Sequence, residues 1–406
     1  AMGEVAYSRA KTDEAKQAFV TAKVILDKLY VEQADNLELL KTLGANAFWL
    51  GQLKYDESYF DGAQPLFELY RDYSERMNEL EPDNIDGWIE LSYAHNTLGS
   101  LYLKLEEYKL AKVAFKTSLL LKERALSQSL EDNDLQIDIA DTLSWLGKIE
   151  LHFGKLTDSV QYMQKGQKNL EQLLKSSPDN ARVMELLILS NIAQTKIFNI
   201  RGKYKQAVDK LTVAENLLHK ALKQDNNNQY WHYDLLRVHF LKAVLNAKLN
   251  NKTEILTSDS SKLTDIILSY QQKSLAIYVM AIDYFQIKEL WQESKQYILQ
   301  ANRELLLEKN KITSDSNEIL ILANFEVLEA KQLLKENQKQ KARKGCQETI
   351  QRLRPLISKS QSPYLLVPYI QAYDCIEQLS LVSNELQLLA KMGININQFT
   401  IQPKEN

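Results

Sequence analysis

Cysteine, glycine, proline and long apolar runs are all scarce in this chain of 406 residues. Its two cysteines, Cys346 and Cys375, form no C-x-x-C pair, so the sequence predicts neither a zinc site nor a disulfide framework. Twelve glycines and seven prolines are too few for the many turns of an all-β protein. We therefore expect an all-α fold.

The charge balance and the hydropathy exclude further classes of protein. Fifty basic residues stand against 53 acidic ones, so the net field favours neither a nucleic acid nor an anionic membrane as partner. No apolar run reaches the roughly 18–20 residues of a membrane span, and the N-terminus has no signal-peptide pattern. The compartment stays open between cytoplasm and periplasm. Ala1-Met2 resembles a cloning remnant, and we expect the chain to begin inside a repeat.

What the sequence does contain is a repeat of 48 residues. Three chemically distinct series share this interval, which is hard to obtain by chance. The first series consists of small residues. The second consists of large residues, each four positions after a small one, and the third consists of residues that can cap a helix N-terminus. The small residues are Gly51, Gly99, Gly147 and Thr195, and Ala15, Ala63, Ala111, Ser159 and Ala207; the large ones are Phe19, Phe67, Phe115, Met163 and Leu211; the capping ones are Asn36, Asn84, Asp132, Asn180 and Asn228.

The series predict two helices of roughly 21 residues in each repeat, joined by short turns, each helix being about 30 Å long. In one copy, Leu98-Gly99-x-x-Tyr102 is followed by Tyr108, Ala111 and Phe115. This run resembles the tetratricopeptide (TPR) signature, although the repeat is longer than the usual 34 residues or so. The resemblance implies a TPR-like α-solenoid, a right-handed superhelix of antiparallel helix pairs.

The same lattice predicts how the chain is divided. Residues 1–250 form a regular TPR-like array whose first repeat is truncated, and 251–272 form an irregular hairpin or break. Residues 273–394 form further helix pairs with a C-terminal cap, and 395–406 form a loose tail. In the second array the 48-residue interval returns at positions shifted from those of the first array, with Ser294 and Ala342 as the small residues.

Catalysis and cofactor binding are not indicated. The spaced motifs for dinucleotides, nucleoside triphosphates, catalytic zinc and serine nucleophiles are absent, so we expect no enzyme, no cofactor and no metal. His232 and His239 are seven residues apart and could share a helix face, but packed or hydrated histidines are the favoured reading. A basic run without interleaved aromatics is interpreted as a solvated helix face; it comprises Lys331, Lys335, Lys339, Lys341, Arg343 and Lys344.

The TPR resemblance implies that the first helix of each pair lines a concave groove. The positions that it assigns to this wall are Phe48, Gln52, Tyr55 and Asp56; Asn96, Ser100, Leu103 and Lys104; Ser144, Lys148, Leu151 and His152; and Ile192, Lys196, Asn199 and Ile200. Asn96 and Ser100 replace the Lys and Asn by which some TPR domains hold a C-terminal carboxylate, so a chaperone tail is not expected. Phe48 and Tyr55 have an alternative role, which is to pack between the helices.

A protein- or peptide-binding scaffold is therefore the predicted function, without nucleic acid and without membrane insertion by this segment. The pattern is similar to C-terminal TPR arrays of bacterial signalling regulators, which implies the interaction or sensing region of a larger regulatory protein. Two alternatives remain open at this point. One is a solenoid that senses a small molecule or signalling peptide in its groove and controls a fused effector domain. The other is a scaffold that forms homo-oligomers through the ends of the array.

Overall fold

The computed structural model describes residues 2–129, 131–249, 274–307 and 315–401. These residues form seventeen α-helices and no strand. The helices are α1 (Met2–Ser8), α2 (Thr12–Glu32), α3 (Leu37–Asp56), α4 (Phe60–Leu80), α5 (Ile85–Lys104), α6 (Tyr108–Gln128), α7 (Asn133–His152), α8 (Leu156–Ser176), α9 (Ala181–Ile200), α10 (Tyr204–Gln224), α11 (Gln229–Leu249), α12 (Leu275–Ile287), α13 (Trp291–Leu307), α14 (Ser316–Lys335), α15 (Lys339–Lys359), α16 (Pro363–Cys375) and α17 (Ser383–Lys391). The fold is an all-α, TPR-like helical repeat.

The predicted interval is present in the helices themselves. First helices such as α3 and α5 have 20 residues, and second helices such as α4 and α6 have 21. Each capping residue predicted from the sequence accepts a hydrogen bond from a backbone N–H in the first turn of its helix. These bonds run to Asn36 from Leu39 (3.0 Å), to Asn84 from Asp86 (2.9 Å), to Asp132 from Leu135 (2.9 Å), to Asn180 from Val183 (3.1 Å) and to Asn228 from Trp231 (3.1 Å).

Small residues on the lattice receive large ones, as predicted. A Cβ atom added at Gly51 would lie 2.6 Å from the ring of Phe67, and one added at Gly99 would lie 2.7 Å from the ring of Phe115. Ala63 and Ala111, on the second helices, have no exposed surface. The two helices of a pair therefore approach closely where their side chains are smallest.

Contacts divide the chain into two compact units, Ala1–Ile149 with Tyr162–Leu170, and Glu150–Gln161 with Glu171–Asn406. In the first unit, Phe67, Leu98 and Leu101 are among the side chains of the buried core. In the second unit, α11 and α12 contribute Phe240, Tyr278 and Phe285 to a buried cluster that Phe325 joins from α14. The predicted hairpin at 251–272 lies outside the described residues.

Within the second unit, the C-terminal segment folds back onto the C-terminal ends of the first helices α7 and α9. The backbone N–H of Gln361 donates to the carbonyl of His152 (2.8 Å), and the Arg201 guanidinium donates to the carbonyl of Met392 (3.2 Å). Gln398 donates to the carbonyl of Ile200 (2.9 Å) and accepts from the Tyr204 hydroxyl (2.9 Å). Residues 361–398 are thus fixed to the ends of α7 and α9.

The expectation that the cysteines form no disulfide is wrong. Cys346 of α15 and Cys375 of α16 are joined by a disulfide, and their Cα atoms are 6.4 Å apart. The two residues are 29 positions apart in sequence, and only the antiparallel packing of α15 against α16 brings them together. Spacing in the sequence could not reveal this pairing.

Candidate functional site: the inner face

We call the inner face the side of each unit on which first helices of successive pairs touch one another. In the first unit α3 contacts α5, and in the second unit α11 contacts α12, α12 contacts α14, and α14 contacts α16. All ten predicted site residues belong to first helices: Phe48, Gln52, Tyr55, Asn96, Ser100, Lys104, Lys148, His152, Lys196 and Asn199. Their surroundings differ widely.

In the first unit, the two aromatic residues predicted for the wall are partly buried between helices. The ring of Phe48 lies 5.9 Å from that of Tyr70 and 6.2 Å from that of Phe67, measured between centroids. The ring of Tyr55 lies 5.3 Å from that of Phe60, and burial raises the pKa of its hydroxyl. These contacts support the packing role that the sequence left open for both side chains.

The polar positions nearby have short-range partners. The Gln52 amide donates to Asp56 Oδ1 (2.7 Å), four residues along the same helix. Ser100 donates to the carbonyl of Asn96 (3.1 Å), also within one helix, while Lys104 is exposed at the end of α5. These residues present a polar surface without converging on one point.

A second part of the inner face of the first unit is a network that the sequence analysis largely missed. Lys122 of α6 is only 3% exposed, and its ammonium group donates to Thr142 Oγ1 of α7 (2.9 Å). The Thr142 hydroxyl also lies 3.4 Å from Asn96 Oδ1, and the Tyr93 hydroxyl donates to Asp138 (2.9 Å). Of these residues only Asn96 was predicted.

Lys148 belongs to the same region of the first unit. Its ammonium group lies 3.8 Å from the centre of the Trp145 ring, a cation–π contact. Burial lowers the pKa of Lys148, and the charge of Asp141 acts against this shift. Burial also raises the pKa of Asp141, whose carboxylate accepts from the Trp145 indole (3.3 Å). In this part of the wall, the charges of Lys148 and Asp141 partly offset each other.

The second unit is different, because its inner face holds two lysines that have no hydrogen-bond or ion-pair partner among the described residues. Lys196 of α9 is open to solvent, yet desolvation by the surrounding protein lowers its pKa to about 8, and the charge of Arg237 lowers it further. Burial also lowers the pKa of Lys331 on α14. Among the residues that the structure describes, neither ammonium group has a hydrogen-bond or ion-pair partner.

Charged groups from three first helices, α11, α12 and α16, act on these two lysines. Lys248 of α11 donates to Asn199 Oδ1 of α9 (3.2 Å) and acts on the charge of Lys331. Asp283 of α12 and Asp374 of α16 also act on Lys331 and favour its charged form. Arg237 of α11 is paired with Asp234 (2.6 Å). The inner face of the second unit is therefore a mixed but cation-containing surface that can bind an anionic group.

Three other sequence predictions concern histidines and the basic run. His152 Nδ1 lies 3.0 Å from Ser360 Oγ, so His152 takes part in fixing the C-terminal segment. His232 contacts the carbonyl of Asn226 (2.8 Å) and His239 contacts Glu215 (3.2 Å), so the two histidines have different partners.

The basic run divides between two helices. Lys339, Lys341 and Lys344 are exposed in the first turns of α15, as expected of a solvated face. Lys331 is the exception, since it lies partly buried on α14 among charges of the inner face. Reading the whole run as one solvated face was therefore wrong for this residue.

No family model matches the sequence, and the comparison with curated proteins gives no match. Among solved structures, the chain is similar to a tetratricopeptide repeat protein from Parabacteroides merdae, with 14% identity, a TM-score of 0.45, and coverage of 84% of this chain and 100% of that one. It is similar to BtubC from P. vanneervenii, with 14% identity, a TM-score of 0.44, and coverage of 65% and 94%. A Rap protein complexed with competence and sporulation factor gives 15% identity, a TM-score of 0.35, and coverage of 97% and 100%. The assignment of a TPR-like fold to this chain rests on its own repeated helix pairs.

Proposed function

We propose that this chain is a non-catalytic binding protein whose second unit holds an acidic segment of a peptide or protein against its inner face. The observation that carries the proposal is the pair of lysines, Lys196 and Lys331, without partners among the described residues. Lys331 is partly buried, and most such charges in proteins are paired, because an unpaired charge is costly to remove from water. A ligand carboxylate would supply the missing partner.

The surroundings of the lysines support a peptide as the ligand. Asn199 and Lys248 offer an amide and a further ammonium group near the lysines, and Asp283 and Asp374 carry charge of the opposite sign. Such a mixture suits a ligand that has both acidic side chains and backbone N–H donors. Because the side chains are fixed on neighbouring helices, a bound peptide loses less ordering entropy than on a mobile surface.

The test begins with an array of random peptides that includes charge-reversed partners of each sequence. Peptides retained by the chain are then measured by fluorescence anisotropy against the wild type, Lys196→Met and Lys331→Met. We expect acidic peptides to be selected and each substitution to weaken binding roughly 10- to 100-fold, as for a lost hydrogen bond to a charged group. The matched control replaces Lys339, Lys341 and Lys344 by Ala, which should leave the affinity unchanged. If that control abolishes binding while the Met variants retain it, the outer face is the binding surface.

The sensing alternative uses the same inner face. A peptide held by α9, α11 and α14 would lie within the unit whose C-terminal segment is fixed at His152 and Arg201. Ligand binding would then change the contacts of this segment and so control a fused effector domain of a regulatory protein. Hydrogen exchange of residues 361–398 with and without a selected peptide tests this: protection that is unchanged by peptide contradicts the sensing role and leaves the binding role intact.

Self-association through the first helix pair is the second candidate. Helix α2 exposes Val20, Val24 and Val31, which are 49%, 53% and 86% exposed and share one face of the helix. An exposed apolar stripe of this kind favours contact with a second copy of the chain. Solution mass by light scattering should fall towards the monomer for Val20→Glu with Val24→Glu. A wild-type chain that is monomeric at high concentration contradicts this candidate.

A further inference from the structure

One cluster on the second unit is independent of the inner-face lysines. Glu215 and His219 are four residues apart on α10, so they lie on the same side of that helix. His239 of α11, the neighbouring helix, faces them. One ligand atom of each residue lies within 4.8 Å of the corresponding atoms of the other two.

From this geometry we propose that Glu215, His219 and His239 bind a divalent transition metal ion such as Zn²⁺. Two imidazoles and one carboxylate form a common protein ligand set for this ion, with solvent completing the coordination. Ligand atoms about 2.1 Å from a tetrahedral ion are roughly 3.4 Å apart from one another. The observed spread therefore requires only small side-chain rotations.

The hydrogen bonds around the cluster leave suitable atoms for a metal. His239 Nε2 lies 3.2 Å from Glu215 Oε1, so these two candidate ligand atoms already lie close together. The other carboxylate oxygen, Oε2, accepts from the Lys242 ammonium group at 2.6 Å. Lys242 can therefore hold the carboxylate in place while Oε1 binds the ion. The positive charge of Lys242 repels the metal ion and weakens its binding.

His219 is the residue that a simple ion-pair network does not explain. It is exposed and has no hydrogen-bond partner among the described residues, although its imidazole lies within reach of both other ligands. A histidine pair flanking an ionised carboxylate is the arrangement that a metal would stabilise.

Isothermal titration calorimetry of the full chain with Zn²⁺ alone tests the proposal, and Co²⁺ absorption reports the ligand geometry. We expect one specific site in the wild type, weakened more than about 100-fold in His219→Gln and His239→Gln, since even supporting residues of metal sites commonly contribute 10- to 100-fold. Glu215→Gln should have an effect of the same direction. His232→Gln is the matched control on α11 and should bind as the wild type does.

Folding of each variant is checked by its thermal melt without metal. His219 is exposed, so His219→Gln should melt as the wild type does, and its loss of binding cannot be ascribed to unfolding. Zinc should raise the melting temperature of the wild type and of His232→Gln but not of His219→Gln. Absence of zinc binding in the wild type, or binding that survives all three ligand substitutions, overturns the proposal.

Discussion

The turn inside each helix pair requires a backbone conformation that most residues rarely adopt. Ala10, Ser58, Glu106, Gly154 and Gly202 all have φ between 56° and 69°, and they follow one another at the repeat interval of 48 residues. This left-handed region costs residues other than glycine roughly 1–2 kcal/mol. Only two of these five turns use the residue that fits without strain.

Ser58→Gly should therefore stabilise the first unit by about 1 kcal/mol, because glycine removes the steric cost of the left-handed conformation. The serine side chain is exposed, so little contact is lost. Glu57→Gly is the matched control: its φ is −72°, and glycine there should be neutral or destabilising. Denaturant midpoints of the two variants decide between these outcomes. A Ser58→Gly midpoint below that of the wild type would show that the turn is not strained.

At the residue scale, the sequence predicted what the repeat shares and missed what departs from it. Capping and small–large pairs were found because the same chemistry recurs at 48-residue intervals. Lys122 was missed, although its lattice equivalents Leu26, Ser74, Leu170 and Leu218 are all buried. A lysine in a series of otherwise buried core positions is itself a signal of a polar contact inside the protein.

At the scale of the element, α5 contains two glycines in opposite situations. A Cβ at Gly99 would lie 2.7 Å from the Phe115 ring, whereas one at Gly87 would have no neighbour closer than 3.7 Å. Gly99→Ala should therefore destabilise the first unit by about 1–3 kcal/mol through overpacking. Gly87→Ala should be neutral or stabilising, because alanine is the better helix former. Thermal melts that show equal effects would contradict the proposed contact between α5 and α6.

The disulfide between α15 and α16 makes a second prediction about elements. A crosslink that closes a loop of 29 residues should stabilise the second unit by roughly 2–4 kcal/mol. Adding a reductant should lower the denaturant midpoint of that unit, and the double variant Cys346→Ala, Cys375→Ala should no longer respond to the reductant. Equal midpoints before and after reduction, with both thiols shown to be free by titration, would contradict the role of the disulfide.

For the molecule as a whole, the sequence predicted the pairing of helices better than it predicted which residues meet on the inner face. First helices do lie side by side, and Lys196 and Asn199 do lie beside other charges in the second unit. Lys248 and Lys331 were not placed there, because Lys248 lies at the end of the regular array and Lys331 beyond the change of phase. His152 was predicted for the wall, and the sequence did not indicate its contact with Ser360, a residue 208 positions away.

The last prediction concerns how the proposed binding surface of the second unit responds to pH. Lys196 has a pKa of about 8, well below the ordinary value of 10.5, because of desolvation and the nearby charge of Arg237, while Asp234 acts in the opposite direction. Carboxylates of an acidic ligand stay ionised throughout this range. The charged lysine is the form that binds, so affinity should be greatest below pH 8 and should fall by up to about tenfold per pH unit above it.

Lys196→Arg separates this residue from every other group that titrates. Arginine stays protonated over the whole range, so the variant should bind an acidic peptide with little change from about pH 7 to 9. Anisotropy titrations of one selected peptide against both proteins provide the measurement. Lys331→Arg serves as a second comparison, because burial lowers the pKa of that lysine too. If the wild type and Lys196→Arg lose affinity in parallel, another group controls binding, and Lys196 is not the residue that meets the ligand's negative charge.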